Sequence, residues 1–416
     1  MDPLITKKTS IFKSLFKVPQ TGIGYIAILI LIFILGFQFG QREISLNSIT
    51  FDESSQTKAN VDFTLFWKTW DLVSKKYIDK KAIDPQKLYY GAIQGMVAAV
   101  GDPYTVFLPP ESQKNTKEQL NGSFEGVGMQ LGYNKDKRLV VIAPLKDTPA
   151  DKAGIKAGDL ILTVDKKDVS NISLPDAVAM IRGPKGTSVA LSIFSENTDK
   201  PRDVTLSRDT IIVRTVDLTM KTSPLGKNIA YIRLSGFGDK TDNEWDGAIS
   251  EALTKNTQGV IVDVRNNPGG YLESAVYLAS EFIGSGPVVL QENSSGQKQE
   301  LRVVRQGRML KIPLVVMINK GSASASEILA GAMQDDKRAT IVGEQSFGKG
   351  TIQSTEDLPQ GTGIHITTAK WLTPLGRWIH GTGLTPDVVV EFKADDKNPL
   401  KDNQLEKALE VIEKQI

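Results

Sequence analysis

The sequence predicts an α/β protein, on two observations. From Val216 onward, short apolar runs alternate with helical patterns. NIAYIRL is followed by a helical pattern through Trp245 and Leu253. Then come VIVDV, a second helix, VVLQE, PLVVMI, a third helix and ATIVG. Apolar runs of this length, closed by Gly, Pro or Asn, read as buried strands, and their exchange with period-3.6 segments gives sheet and helix in turn. The second observation is size: 416 residues leave room for two or three domains, and 40% apolar residues suffice for ordinary cores.

Composition excludes several classes. The formal net charge of +2, with no long basic run, points to no nucleic-acid partner. The chain has no cysteine, which rules out disulfides and thiolate chemistry and suits an exported protein. Two histidines without a His/Asp cluster predict no metal site.

In chain order, residues 1–21 form a basic segment containing Lys7, Lys8, Lys13 and Lys17. Gly22 to Gly40 is an uncharged apolar run of 19 residues. At about 1.5 Å per residue it nearly spans a hydrocarbon core of about 30 Å. It predicts one transmembrane helix, with the lysines cytoplasmic and the bulk of the chain extracytoplasmic, periplasmic or extracellular. A cleaved signal peptide is the rival, but the run is long for one and no A-x-A follows. Gly36-x-x-x-Gly40 is a helix-pairing pattern only at the edge of the span. Residues 41–60, rich in Ser, Thr and Asn, read as a tether.

Residues 61–121 predict an N-terminal helical region. Phe66, Trp70, Val73 and Tyr77 mark one amphipathic helix. Asp84-Pro85 supplies the N-cap and first turn of a second, which carries Leu88, Ile93 and Val97 and is ended by Gly101-Asp102-Pro103. Residues 122–213 begin with Phe124-Glu125-Gly126-Val127-Gly128-Met129-Gln130-Leu131. The strand LVVIAPL, the run DTPADKAGIKAGDLILTVD and a helix over Leu174–Ile181 follow. As a whole this segment resembles a PDZ domain. Its start is similar to the loop whose N–H groups hold a peptide's terminal carboxylate while the peptide adds as a strand. Gly126, Val127, Gly128, Met129 and Leu131 are therefore the candidate peptide-binding residues, and an apolar C-terminus is expected to dock on Val127, Met129, Leu131 and the helix. Arg182, ending that helix, is either a solvated cation or a link to the core that follows.

The chemistry-bearing stretch runs from Pro313 to Ser354. PLVVMI reads as a strand, and Ser322, Ser324 and Ser326 lead into EILAGAMQD, where Ile328, Leu329 and Met333 recur at helical spacing. A serine on a sharp strand-to-helix turn exposes its hydroxyl at the positive end of a helix, where spare N–H groups can hold an oxyanion. Ser324-Ala325-Ser326-Glu327 is also a capping box, and a serine that only caps its helix is the commoner outcome of that pattern. A nucleophile needs a base. Glu327 is too close in sequence to serve easily, whereas Lys349 stands in Phe347-Gly348-Lys349-Gly350. An amine is a base only when neutral, so its pKa must fall from about 10.4 toward about 7–8 by desolvation. A flanking Phe and two glycines fit a lysine pressed into a dry site; taken alone, Lys349 reads equally as a solvated loop residue. Gln353 is placed to orient the lysine or the substrate.

Gly343-x-x-x-x-Gly348-Lys349 nearly spells a phosphate-binding loop. Gly350 stands where Ser or Thr would hold magnesium, and GTIQSTEDL and GTGIHITTAKW read as strands, so that reading is rejected. Upstream, VIVDVRNNPGGYLESAVYLASEFIG gives a strand (Val260 to Val264), the turn Arg265-Asn266-Asn267, and Pro268-Gly269-Gly270 opening a helix. Paired glycines permit close backbone approach and can aim N–H groups at a ligand.

Together DVRNNPGG, GSASASE and GEQSFGKGTIQ closely resemble the C-terminal processing (tail-specific) peptidases, serine endopeptidases with a Ser–Lys dyad. The motifs keep the family's order and spacing, and the resemblance extends to AKWLTPLGRWIHGTGLTPDVVV and to the PDZ-like segment, about Asp62 to Phe392 in all. It implies a crotonase-like spiral α/β peptidase core over residues 214–393, with the PDZ domain (mixed α+β) inserted before it. It implies Ser324 as nucleophile, Lys349 as general base and Gln353 as supporting polar residue. The oxyanion hole would be the N–H of Ala325 with that of Gly270, Gly269 being the neighbouring alternative. No cofactor is implied. His365 and His380 read as structural or surface residues. Residues 394–416 give a charged linker and a short helix, LEKALEVIEKQI, suited to packing on a partner subunit. The implied function is a membrane-anchored serine endopeptidase acting on proteins or peptides with apolar C-termini, with a homodimer left open. The alternative is a catalytically silent PDZ scaffold at the membrane. A Ser–Lys hydrolase of the β-lactam type calls for S-x-x-K on one helix, which none of the three serines provides.

Overall fold

The computed structural model describes residues 61–195, 198, 200–393 and 401–416. The predicted span 22–40 and tether 41–60 lie outside the described residues. Among the described residues no helix is long and apolar enough to cross a membrane. The chain divides into two compact units, Met1–Ile83 and Asp84–Ile416. Within the first, helix α1 (Thr64–Lys76) carries an aromatic stripe whose rings meet edge-on: Phe66 and Trp67 lie 5.0 Å apart, Trp67 and Trp70 6.2 Å.

The second unit opens with α2 (Pro85–Ala98), where the Asp84 carboxylate accepts the Gln86 and Lys87 N–H groups at 2.9 and 3.3 Å. These are orphan donors that a helix start must satisfy. Residues 84–121, grouped by sequence with the N-terminal helices, thus belong to the larger unit. They also include a strand, β1 (Val106–Leu108), ahead of α3 (Pro110–Leu120).

Next comes a small sheet built from β3 (Met129–Tyr133), β4 (Leu139–Pro144), β5 (Leu160–Val164), β7 (Ser188–Phe194) and β8 (Arg202–Ser207) in that order, with β6 (Lys167–Asp168) on β5. A single helical turn, α4 (Pro149–Lys152), and α5 (Leu174–Ile181) pack on it. In β7 the buried residues Val189, Leu191 and Ile193 alternate with more exposed ones, the period-two pattern of a strand with one face in a core. The segment's two ends meet as a ribbon of β2 (Ser123–Gly126) and β9 (Asp209–Ile212).

The remaining elements are β10 (Val216–Thr222), β11 (Asn228–Leu234), α6 (Thr241–Thr254), β12 (Gly259–Asp263), α7 (Leu272–Ala279), β13 (Pro287–Asn293) and β14 (Lys298–Arg302). They continue with β15 (Leu314–Ile318), α8 (Ala325–Asp335), β16 (Thr340–Gly343), β17 (Thr351–Asp357), β18 (Gly363–Leu372), β19 (Val388–Val389) and α9 (Asn403–Glu413). The main sheet runs β10-β11-β12-β15-β16-β19, parallel after the β10/β11 hairpin. Parallel neighbours need crossovers; α6, α7 and α8 lie on those that join β11, β12, β15 and β16, while β17 and β18 lie between β16 and β19. A second sheet, β1-β18-β13-β14 with β17 on β18, flanks the site.

Every residue of β12 and β15 is buried, so both faces of the main sheet need cover. One face packs on Trp245, Phe282, Ile328 and Leu329. The other packs on α9, whose Ala408 and Ile412 are buried with Ile229, Ile261, Val315, Met317 and Val342. The C-terminal helix therefore covers its own sheet, correcting the expectation that it packs on a partner subunit. Arg265 anchors it: the guanidinium bonds Asp263 Oδ2 at 2.6 Å and Asp402 Oδ2 at 2.7 Å. Arg265→Ala leaves both carboxylates without their counter-charge and is expected to cost about 3–5 kcal/mol, read from urea unfolding.

Candidate active site

The site is assembled where β15 turns into α8. The three serines of this turn differ in what their hydroxyls do. Ser322 Oγ donates to Val264 O at 2.8 Å and Ser326 Oγ to Asn267 O at 2.9 Å, both fully buried. They tie the turn to the end of β12. Ser324 is partly exposed and has φ +55°, ψ −117°, a left-handed conformation that costs a non-glycine residue about 1–3 kcal/mol. Its place in the capping box is kept, and among the described residues its hydroxyl donates no hydrogen bond.

Glu327, fully buried on α8, closes the other half of the box and does more. Its Oε2 accepts the Ser324 N–H and the Lys349 N–H, each at 2.9 Å. Its Oε1 accepts Gly348 N–H at 2.7 Å and Ser346 Oγ at 2.5 Å. Two bonds of 2.9 Å to one oxygen place the Ser324 and Lys349 amide nitrogens at most about 5.8 Å apart. One buried carboxylate thus binds the serine turn to the lysine loop.

The Lys349 carbonyl accepts Trp371 Nε1 at 2.8 Å, so its backbone is held on both sides. The neighbouring glycines are required by close approach: a Cβ on Gly348 would lie 2.8 Å from Gly383 N, and one on Gly350 2.9 Å from His380. The Lys349 side chain is partly buried. Burial pushes its amine below the ordinary lysine range, against the opposing charges of Asp102 and Glu327. Among the described residues Nζ donates no hydrogen bond; it sits 5.0 Å above the centre of the Tyr104 ring.

Against the serine turn lies the Gly269-Gly270 pair. A Cβ on Gly269 would stand 2.8 Å from Ser324 Cβ and 2.9 Å from Ala325 N. One on Gly270, at φ +139°, would meet the Phe237 carbonyl oxygen at 1.9 Å. Gly269 N–H is taken by Asn267 Oδ1 at 2.9 Å. Among the described residues neither Gly270 N–H nor Ala325 N–H has a hydrogen-bond acceptor.

Residues 228–390 match Peptidase family S41, residues 116–194 the PDZ domain, and residues 31–112 the activating protease CtpB N-terminal domain. The carboxy-terminal processing protease CtpA of Bacillus subtilis is 36% identical over 360 residues, which cover 86% of this chain and 75% of that protein. A carboxyl-terminal-processing protease of Synechocystis is 39% identical over 332 residues, covering 80% and 77%. The chain belongs to peptidase family S41. It is a carboxy-terminal processing serine protease with a PDZ domain. The crystal structure of an S41 protein from Bacteroides fragilis shares the fold, with a TM-score of 0.54 at 14% identity over 84% of this chain and 97% of that one.

Not every predicted residue of this S41 peptidase meets the centre. Gln353 sits at a bulge in β17, and its Nε2 donates to Thr351 and Thr367 Oγ1, each at 3.0 Å, with no hydrogen bond to Lys349 or Ser324. In the PDZ domain β3 is an edge strand, with the half-buried Met129 and Leu131 packed on the domain core. Gly126 ends β2. Val127 is only 2% exposed, its side chain in the domain's own core, so it offers little side-chain surface to a peptide. Gly128 has φ +77°, and a Cβ there would lie 2.4 Å from Thr148 Cβ. Arg182 lies over the Phe124 ring at 4.5 Å and reaches Glu118 of α3 at 3.4 Å.

One turn escaped the sequence reading. Asp102 was taken only as part of a helix stop and Tyr104 was assigned no role, yet both stand beside Lys349. The signal available was a Gly-Asp-Pro-Tyr turn beside a strand, which says nothing of its partner. His380, read with His365 as structural or surface, holds the lysine loop in place: its ring stacks on Trp378 at 5.3 Å, meets Tyr104 edge-on at 6.1 Å, and its Nδ1 accepts Gly350 N–H at 3.3 Å. His365 on β18 is half-buried, and burial and the Lys349 charge hold it below the usual histidine range.

Proposed function

We propose that this S41 peptidase cleaves peptide bonds with a Ser324–Lys349 dyad through an acyl-enzyme. The observation that carries the reading is the shared Glu327 oxygen, which draws the one turn serine with an uncommitted hydroxyl toward a lysine whose pKa is lowered by burial. Neutral Lys349 takes the Ser324 proton as Oγ attacks the scissile carbonyl carbon. The unpaired N–H groups of Ala325 and Gly270 receive the oxyanion, each worth about 2.7–4 kcal/mol in the transition state. The intermediate collapses, the leaving amine takes the proton from Lys349, and the acyl ester remains on Ser324. Water, losing its proton to Lys349, attacks that ester; Lys349 returns the proton to Ser324 Oγ as it leaves, and the carboxylate product is freed. Gln353 acts as a supporting residue, fixing the strand beside the lysine loop through Thr351 and Thr367.

Substrate selection falls to the PDZ domain. A peptide C-terminus adds to the free edge of β3 beside α5, with its carboxylate on the N–H groups of Gly126–Gly128. Arg182, on Phe124 and Glu118, is placed to pass occupancy on to α3. Residues 22–40 anchor the chain as one transmembrane helix, with the catalytic part extracytoplasmic.

The test is cleavage of an unstructured protein ending in apolar residues, compared with the same protein carrying a charged tail. Wild type is expected to cut the first faster than the second, and Ser324→Ala to cut neither. Cutting by Ser324→Ala would mean that another residue does the chemistry. No cutting by wild type, with peptide still bound, would leave a PDZ scaffold.

A further inference from the structure

We propose that Tyr104 is a positioning residue for Lys349, its ring covering the side-chain amine so that the amine stays dry and directed at Ser324. The inference rests on Lys349 being the base. Nζ lies 5.0 Å over the ring centre and, among the described residues, has no hydrogen-bond acceptor. The lysine backbone is fixed by Glu327 and Trp371, but its long side chain has no such tether apart from this ring.

The turn that carries the ring is itself tied down. Tyr104 N–H donates to Asp102 Oδ1 at 3.1 Å, and Thr105 Oγ1 to Asp102 Oδ2 at 2.6 Å. Thr105 Oγ1 in turn accepts Thr367 N–H from β18 at 3.1 Å. The ring edge rests on His380, which stacks on Trp378, and Trp378 Nε1 donates to Gly350 O at 3.0 Å. The turn that presents Tyr104 and the loop that presents Lys349 are therefore held in one frame.

A ring over an amine acts in two opposite ways. Its face attracts the ammonium form, and its bulk takes the place of water, which favours the neutral form. The other charged or titratable groups facing Lys349 are Asp102 from the turn before β1, Glu327 from α8 and His365 from β18; His380, from the turn after β18, stands beside Tyr104 and Asp102. The ring's two effects separate by substitution.

The experiment is the pH dependence of kcat for the full chain on a peptide substrate, in Tyr104→Phe, Tyr104→Leu and Tyr104→Ala. Phe keeps the ring, and its acid limb is expected to match wild type. Leu keeps apolar bulk without the aromatic face, so its acid limb moves to lower pH. Ala admits water, so its acid limb moves up by about one pH unit, with kcat at neutral pH down about tenfold and KM nearly unchanged. If the Ala variant fails to fold, the Leu–Phe difference decides. Equal acid limbs in all folded variants, or failure of Phe to restore the profile, would overturn the proposal. Lys349→Ala retaining turnover would instead overturn the assignment of the base.

Discussion

Ser324→Ala and Lys349→Met are each expected to lower kcat by about ten-thousand-fold, and the double variant to fall no further. Groups that act as a unit lose the whole of their joint contribution when either is removed, and the residual rate comes from the oxyanion hole and binding. Wild-type activity should fall as pH drops through the lowered Lys349 pKa, because a protonated amine cannot accept the serine proton. Stability carries the same signature. The native lysine releases its proton at a lower pH than the unfolded chain does. Between the lowered value and about 10.4 the unfolded state binds more protons, and stability rises with pH. Lys349→Met should flatten that slope while keeping the side chain's bulk. A double variant much slower than either single, or an acid limb that survives in Lys349→Met, would dismantle the dyad.

What the sequence made legible follows from where each contact is decided. β12, β15 and α8 were readable because apolar runs and helical spacing are local, and DVRNNPGG and GSASASE sit at their ends. The choice among Ser322, Ser324 and Ser326 was not local. It came from the family resemblance, and its physical basis is that Val264 and Asn267 engage the outer two hydroxyls from another strand's end. Lys349 also came from the resemblance; of its local signals the two glycines answer to close packing, whereas Phe347 is exposed and does not cover the amine. Tyr104 was not readable, since it reaches Lys349 only because β1 pairs with β18, Val106 opposite His365, a register no nearby pattern announces. The helix α9 was evident by period, but the apolar surface it covers is spread over strands that come together only in the fold. Glu327 was seen as a capping residue and a poor base; its hold on the lysine loop appears only once that loop folds back over α8.

Glu327→Gln is therefore expected to act on both halves of the site at once. The carboxylate receives four donors, from Ser324 N, Lys349 N, Gly348 N and Ser346 Oγ. Glutamine has one acceptor oxygen, and its NH₂ must face donors in a fully buried place. Two of the four donors are left facing that NH₂, either the Ser324 and Lys349 N–H groups or the Gly348 N–H and the Ser346 hydroxyl, and the cost is about 2–4 kcal/mol of stability. The catalytic effect should exceed what that loss of fold predicts. If Oε1 keeps the Gly348 and Ser346 bonds, then it is Ser324 N–H and Lys349 N–H that face the amide, and the two loops move apart. A misplacement of about 1 Å between reacting groups costs on the order of a hundredfold in rate. Ser346→Ala gives the comparison, because it removes one donor to Glu327 and leaves the Ser324 and Lys349 amides bound. Its kcat should fall far less. The decisive readouts are kcat and the rate at which a serine-directed acylating reagent labels Ser324, both measured where each variant is fully folded by urea titration. Normal kcat and labelling in folded Glu327→Gln would reduce the carboxylate to a structural clamp with no part in aligning the serine and the lysine.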